Sequence, residues 1–94
     1  MTQVGSERIA RMRAQLTAAL TPAELEIIDD SHLHAGHTGA RDGRGHYTVR
    51  ITASGFSGLR PLQRHQLVYK ALAEMMQTDI HALAIVALAP NELR

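Results

Sequence analysis

The clearest pattern in the chain is a strict alternation over His46–Ala53. Tyr47, Val49, Ile51 and Ala53 fall on one side, and His46, Thr48, Arg50 and Thr52 on the other. A period of two with one apolar side predicts a strand with one buried and one wetter face. Upstream, Ile9, Met12, Leu16 and Leu20 recur at helical spacing, with Arg8, Arg11 and Arg13 on other faces, which predicts a first helix. Ser6 is its expected N-cap. Thr21-Pro22 is its expected end, because the residue before a proline avoids the α region. Leu25–Asp30 reads as a short strand, expected to pair antiparallel with the alternating one. Ser54–Arg60 reads as a turn, and Pro61 suits the first turn of a second helix. From there Leu62, His65, Val68, Tyr69, Leu72, Met75 and Met76 form the expected apolar stripe. Gln63, Arg64, Gln66, Lys70 and Glu74 take the solvated side. Ile80–Leu88 is apolar on both faces, as expected of a strand buried within a sheet. Pro90–Arg94 reads as one closing helical turn.

The order is α-β-β-α-β, an α+β arrangement. A helix joins the second and third strands, so a parallel pairing there requires a right-handed crossover. The expected architecture is a three-stranded mixed sheet with the helices on one face. The length of 94 residues fits one domain over 1–94 with ragged termini. Such a domain has a thin core, here built from Leu, Ile, Val, Ala and Met because only 3% of residues are aromatic. The net charge of +1 neither demands nor excludes nucleic acid. Cysteine is absent, so the chain alone makes neither a disulfide nor a thiolate metal site. The longest apolar run, Ala82–Ala89, is far short of the ~20 residues of a membrane span. No signal-peptide h-region is visible at the N-terminus, and the expected compartment is the cytoplasm.

Between the first two strands lies Ser31–Gly45, with four glycines and almost no apolar residues. A loop this long in a small domain is usually functional or disordered. It contains His32, His34 and His37, and such a local density of imidazole is a compositional signal for metal. Ordinary polar loop residues are the alternative reading for each. The HxHxxH spacing resembles zinc hydrolases of the metallo-β-lactamase type. Those enzymes place an Asp before the last His, where this chain has Gly36. His81 stands where the last strand begins, a position that suits either a rigidly held ligand or a hydrogen-bonded structural residue. His65 falls on the apolar stripe and reads as packing. Arg60, Arg64, Gln66 and Lys70 lie on or near the second helix and are candidates to contact nucleic acid; a solvated helix face is the alternative. Gly55-Phe56-Ser57-Gly58 spells GxxG, the backbone clamp of KH domains, but follows a strand rather than joining two helices. No nucleophile–base pair, phosphate loop or carboxylate dyad is present, so catalysis is not expected.

Several motifs then occur in a specific order: Phe56-x-Gly58, Pro61-Leu62-Gln63-Arg64-His65-x-x-Val68-Tyr69, Leu72-Ala73-Glu74 and Ile80-His81-Ala82-Leu83. With Leu25–Ser31 as the first strand, the chain resembles the BolA family from roughly Ile9 to Pro90. Gln66 departs from the pattern, since many relatives have a second Arg there. The resemblance implies an α+β fold similar to a type II KH domain. It implies either of two roles. One is an adaptor that binds a monothiol glutaredoxin and shares a [2Fe–2S] cluster with it and glutathione, in iron homeostasis or cluster trafficking. The other is a DNA-binding transcription regulator using the KH-like or helix-turn-helix-like second helix. For the first role the resemblance implies His81 as one ligand and His34 as the second, with His37 and His32 as alternatives. No cluster is then expected in the isolated chain, whose imidazoles supply only half a ligand set. The sequence leaves the oligomeric state open, a weak homo-oligomer included.

Overall fold

The computed structural model describes residues 2–31 and 43–92. Helix α1 (Thr2–Leu20) is followed by strands β1 (Glu24–Asp29) and β2 (Gly45–Thr52). Helices α2 (Pro61–Ala71) and α3 (Ala73–Thr78) lead to strand β3 (Ile80–Leu88). Short 3₁₀ turns occupy Ser54–Phe56 and Pro90–Glu92. The sheet order is β1-β2-β3, with β1–β2 antiparallel and β2–β3 parallel. This is the expected α+β arrangement with a mixed sheet.

The alternation in β2 fixes which face is covered. Tyr47, Val49 and Ile51 pair with Leu83, Ile85 and Ala87 of β3, and with Asp29, Ile27 and Leu25 of β1. The apolar members of this layer pack with Met12 and Leu16 of α1, Val68 of α2, Leu72, Met75 of α3, and Phe56. The helices therefore share one face. Burying a strand face under amphipathic helices is what makes register strict, since a one-residue slip would expose the whole layer.

Five details differ from the sequence expectations. Helix α1 begins at Thr2, so Ser6 lies inside it rather than capping it. The second helix is interrupted at Leu72, whose backbone departs from helical values while its side chain is fully buried. The buried line of this helix runs Arg64–Val68–Leu72–Met75 and not through Leu62 and Tyr69, which are 68% and 41% exposed. Leu62 and Tyr69 lie off that line, while Leu67, Ala71 and Met76 flank it and pack against the core. Arg64 is correspondingly buried, not solvated, as described below. Finally, β3 is an edge strand and not an internal one. Its outer-face residues Ala82 and Ala84 are exposed, and their small side chains made the strand look uniformly apolar.

Helix α1 ends abruptly. Thr21 adopts a positive φ of 39° and its N–H bonds the Thr17 carbonyl, turning the chain before Pro22. A β-branched residue in this region is strained.

Candidate functional site

His81 sits on a β-bulge. The register passes from Gly45–Ile80 to His46–Ala82, which leaves His81 as the extra residue of β3. Bulges re-aim a side chain without breaking the strand. Here the imidazole is exposed and tilts toward His46, with ring centroids 5.2 Å apart at 52°. His46 itself is only 7% exposed. Sequence alternation placed His46 on the wetter face and gave it no role; its burial under the bulge was not legible from spacing. Arg44 Nη2 lies 3.2 Å from His81 Nδ1. A guanidinium only donates, so this contact occupies the Nδ1 lone pair and leaves the proton on Nε2. A metal at His81 must therefore displace Arg44, either by taking Nδ1 or by taking Nε2 after its proton has moved to Nδ1.

The residues flanking the histidine-rich segment are held firmly. On the incoming side, Ser31 N–H donates to Asp29 Oδ1 at 2.9 Å, and Ser31 Oγ accepts from His46 N–H at 3.1 Å. On the return side, Gly43 C=O accepts from Arg8 Nη2 at 2.7 Å, and Gly45 N–H donates to Asp79 C=O at 2.9 Å. Asp79 carboxylate accepts from Arg8 Nε at 3.0 Å and Arg11 Nη2 at 2.7 Å, which ties α1 to the residue before β3. The Thr78 hydroxyl and then the Arg11 and Arg8 guanidiniums hold the Asp79 carboxyl below its ordinary pKa. Tyr47 fills the space beneath, and burial pushes its hydroxyl up despite the opposing effect of Arg8. A methyl added at Gly45 would meet the Tyr47 ring at 2.7 Å and Ser31 Oγ at 2.8 Å, so only glycine fits there. His32, His34 and His37 lie outside the described residues. On the return side, Arg44 is in contact with His81.

The basic cluster divides. Arg60, Gln66 and Lys70 are exposed, Lys70 on the same helix as exposed Tyr69. Arg64 is 8% exposed and does not belong with them. Its Nε donates to Leu59 C=O at 2.9 Å and its Nη1 to Ala87 C=O at 3.1 Å. Nη1 and Nη2 also grip Glu92 Oε1 and Oε2 at 2.6 and 2.8 Å. A planar guanidinium suits this bidentate arrangement, and its long apolar stem tolerates burial. The Arg64 guanidinium, then the Ala89 N–H, push the Glu92 carboxyl down to about 2. The nucleic-acid role expected for Arg64 is thus withdrawn: it closes α2 onto the end of β3. In GxxG, Gly58 has a φ of 79° that requires glycine, whereas a Cβ at Gly55 meets nothing within 4 Å. Phe56 between them is fully buried and anchors the turn.

Comparison with known proteins places this geometry. Residues 16–92 match the family model for BolA-like proteins. The chain is 44% identical to the chloroplastic protein BOLA1 of Arabidopsis thaliana over 88 residues, which is 90% of this chain and 55% of that relative. It thus spans about half the length of that curated relative. The DNA-binding transcriptional regulator BolA of Escherichia coli is 37% identical over 80% of this chain and 69% of its own. Among solved structures, the BolA domain of SufE1 from Arabidopsis thaliana superposes with a TM-score of 0.81 at 39% identity, covering 92% of this chain and 95% of that one. The chain belongs to the BolA family. Among the described residues no helix is long and apolar enough to cross a membrane.

Proposed function

We propose that this chain is a cytoplasmic adaptor, not an enzyme, that docks a monothiol glutaredoxin and contributes imidazole ligands to a shared [2Fe–2S] cluster. The observation that carries this reading is His81, exposed on a bulge and in contact with Arg44 on the return side of a histidine-rich segment. His81 supplies one ligand and His34 the second, with His37 and His32 as alternatives. The donor set fits half a cluster. Imidazole suits iron, and a chain without cysteine leaves the thiolates to the glutaredoxin and glutathione. Imidazole ligation in place of thiolates raises the reduction potential. Arg44 must release Nδ1 before His81 ligates, whether through Nδ1 itself or through Nε2 once its proton has moved to Nδ1. Because ligating imidazoles must be neutral, complex formation weakens at low pH.

The test mixes the chain with a cluster-loaded monothiol glutaredoxin and records visible absorption and circular dichroism. The wild type changes both spectra. His81→Ala loses most of that change, and His34→Ala alters what remains. Unchanged spectra with the wild type refute the reading.

A second reading is DNA binding, which the name of the Escherichia coli relative and the exposed face of Arg60, Gln66, Tyr69 and Lys70 support. Binding through this face is salt-dependent, and Lys70→Ala weakens it and reduces the salt slope. Equal affinity for promoter and random DNA at physiological salt would exclude it as a sequence-specific role. Arg64→Ala is unsuitable for this test, because its loss disturbs the fold.

A further inference from the structure

Strand β3 forms one edge of the sheet, and among the described residues no strand pairs with its outer side. Along a strand, the backbone groups of successive residues point alternately to either side. Leu88 faces β2, since its carbonyl accepts from Ala53 N–H. Ala87 therefore faces outward, and its carbonyl accepts from Arg64 Nη1. Ala89 N–H also turns outward and donates to Glu92 Oε1. The Arg64–Glu92 pair thus seals the C-terminal end of this edge. By the same alternation Leu83 and Ile85 present their N–H and C=O groups on the open stretch. Ile80–Leu88 contains no Asp, Glu, Lys, Arg or Pro. Natural sheets usually blunt such an edge with charge, proline or a cover.

We propose that this edge pairs antiparallel with the same edge of a second copy, about a twofold axis at Ala84. In that register Ala84 meets Ala84 as the closely spaced, non-hydrogen-bonded pair. Leu83 of each copy then exchanges backbone hydrogen bonds with Ile85 of the other. Both open residues are satisfied, and Ala87, whose carbonyl Arg64 already occupies, lies opposite His81 of the other copy, beyond the Leu83–Ile85 exchange. Charge selects this occupant over the other sheet edges. β1 carries Glu24, Glu26 and Asp29, so pairing β1 with itself sets carboxylates against carboxylates. Pairing β1 with β3 is heterologous and leaves edges open for further addition. Only β3 with β3 is both closed and free of charge repulsion. Ala82 and Ala84 are exposed on the uncovered face of the sheet, so no bulky side chain stands in the way. The contact is short, below the roughly 1,200 Å² of stable interfaces, so the dimer is weak and concentration-dependent.

The test is sedimentation equilibrium of the purified full chain, without glutaredoxin or cluster, from about 10 μM to about 1 mM. The weight-average mass of the wild type rises from 10.3 kDa toward twice that value. Ala84→Lys sets two ammonium groups opposite each other and stays at the monomer mass throughout. Should that variant lose its circular-dichroism signature, Ala84→Glu carries the same test, with two carboxylates set opposite each other. Amide exchange supplies a second readout: the Leu83 and Ile85 amides slow with concentration in the wild type and not in the variant. A wild type that remains monomeric overturns the proposal. So does a folded Lys variant that associates like the wild type, or concentration-dependent protection that omits Leu83 and Ile85.

Discussion

Asp79 is the point at which α1, the return of the histidine-rich segment and the start of β3 meet. Replacing it with Asn keeps the shape and removes the charge. The cost follows from the partners. Arg8 and Asp79 side chains are only 17% and 13% exposed, and a charged hydrogen bond between such groups contributes about 1.5 kcal/mol. Arg11 is 54% exposed, and its contact adds a few tenths, roughly 0.3 kcal/mol. Weakening the Thr78 contact brings the total to about 2 kcal/mol. For a domain of this size that lowers Tm by roughly 8–16 °C at neutral pH. The pH dependence sharpens the test. The folded-state pKa of Asp79 is lowered, so its contribution is fully present above the unfolded carboxylate value of about 3.9. It is lost as pH falls through the lowered folded value. Thermal melts of wild type and Asp79→Asn followed by circular dichroism should therefore differ at pH 7 and converge in strong acid. A Tm loss under about 2 °C at pH 7 would refute the reasoning, as would a gap that persists undiminished in acid.

Other outcomes follow from the same geometry. Gly45→Ala crowds Tyr47 and Ser31 and costs about 1–3 kcal/mol in chemical denaturation, whereas Gly55→Ala, with open space, does not. Phe56→Ala empties the only phenylalanine site in the core and costs about 3–5 kcal/mol, enough to populate unfolded chain at 37 °C. Thr21→Gly relieves the positive φ and raises stability by roughly 0.5 kcal/mol, read as a higher denaturation midpoint. Arg64→Ala lowers Tm and speeds exchange at the Ala89 amide, while Lys70→Ala does neither.

Much of the fold was legible because its signals were periodic. The alternation in His46–Ala53 reported a strand covered on one face, and the structure covers that face. Thr21-Pro22 and Pro61 marked helix boundaries through restrictions that act on the local backbone alone. What failed was long-range. Arg64 looks solvated in any local window, because its burial depends on Glu92 and Ala87, more than twenty residues away. The position of β3 at an edge was hidden because exposed alanines carry no polar mark. His81 stood out from its place at the start of a strand, but His46 did not. Its proximity to His81 arises from parallel pairing plus a bulge, and neither leaves a trace in spacing.

The fixed ends of the histidine-rich segment have a consequence for evolution and engineering. Ser31 on one side, and Gly43 and Gly45 on the other, are anchored by Asp29, Arg8 and Asp79, all of which belong to the helices, the sheet or their junctions. The span between the anchors can then be lengthened or rewritten at little cost to the scaffold, since doubling a closed loop adds only about 0.6 kcal/mol. The segment behaves as an interchangeable cassette on a constant frame. If the segment supplies a ligand as proposed, exchanging its imidazole for thiolate or carboxylate leaves His81 in place.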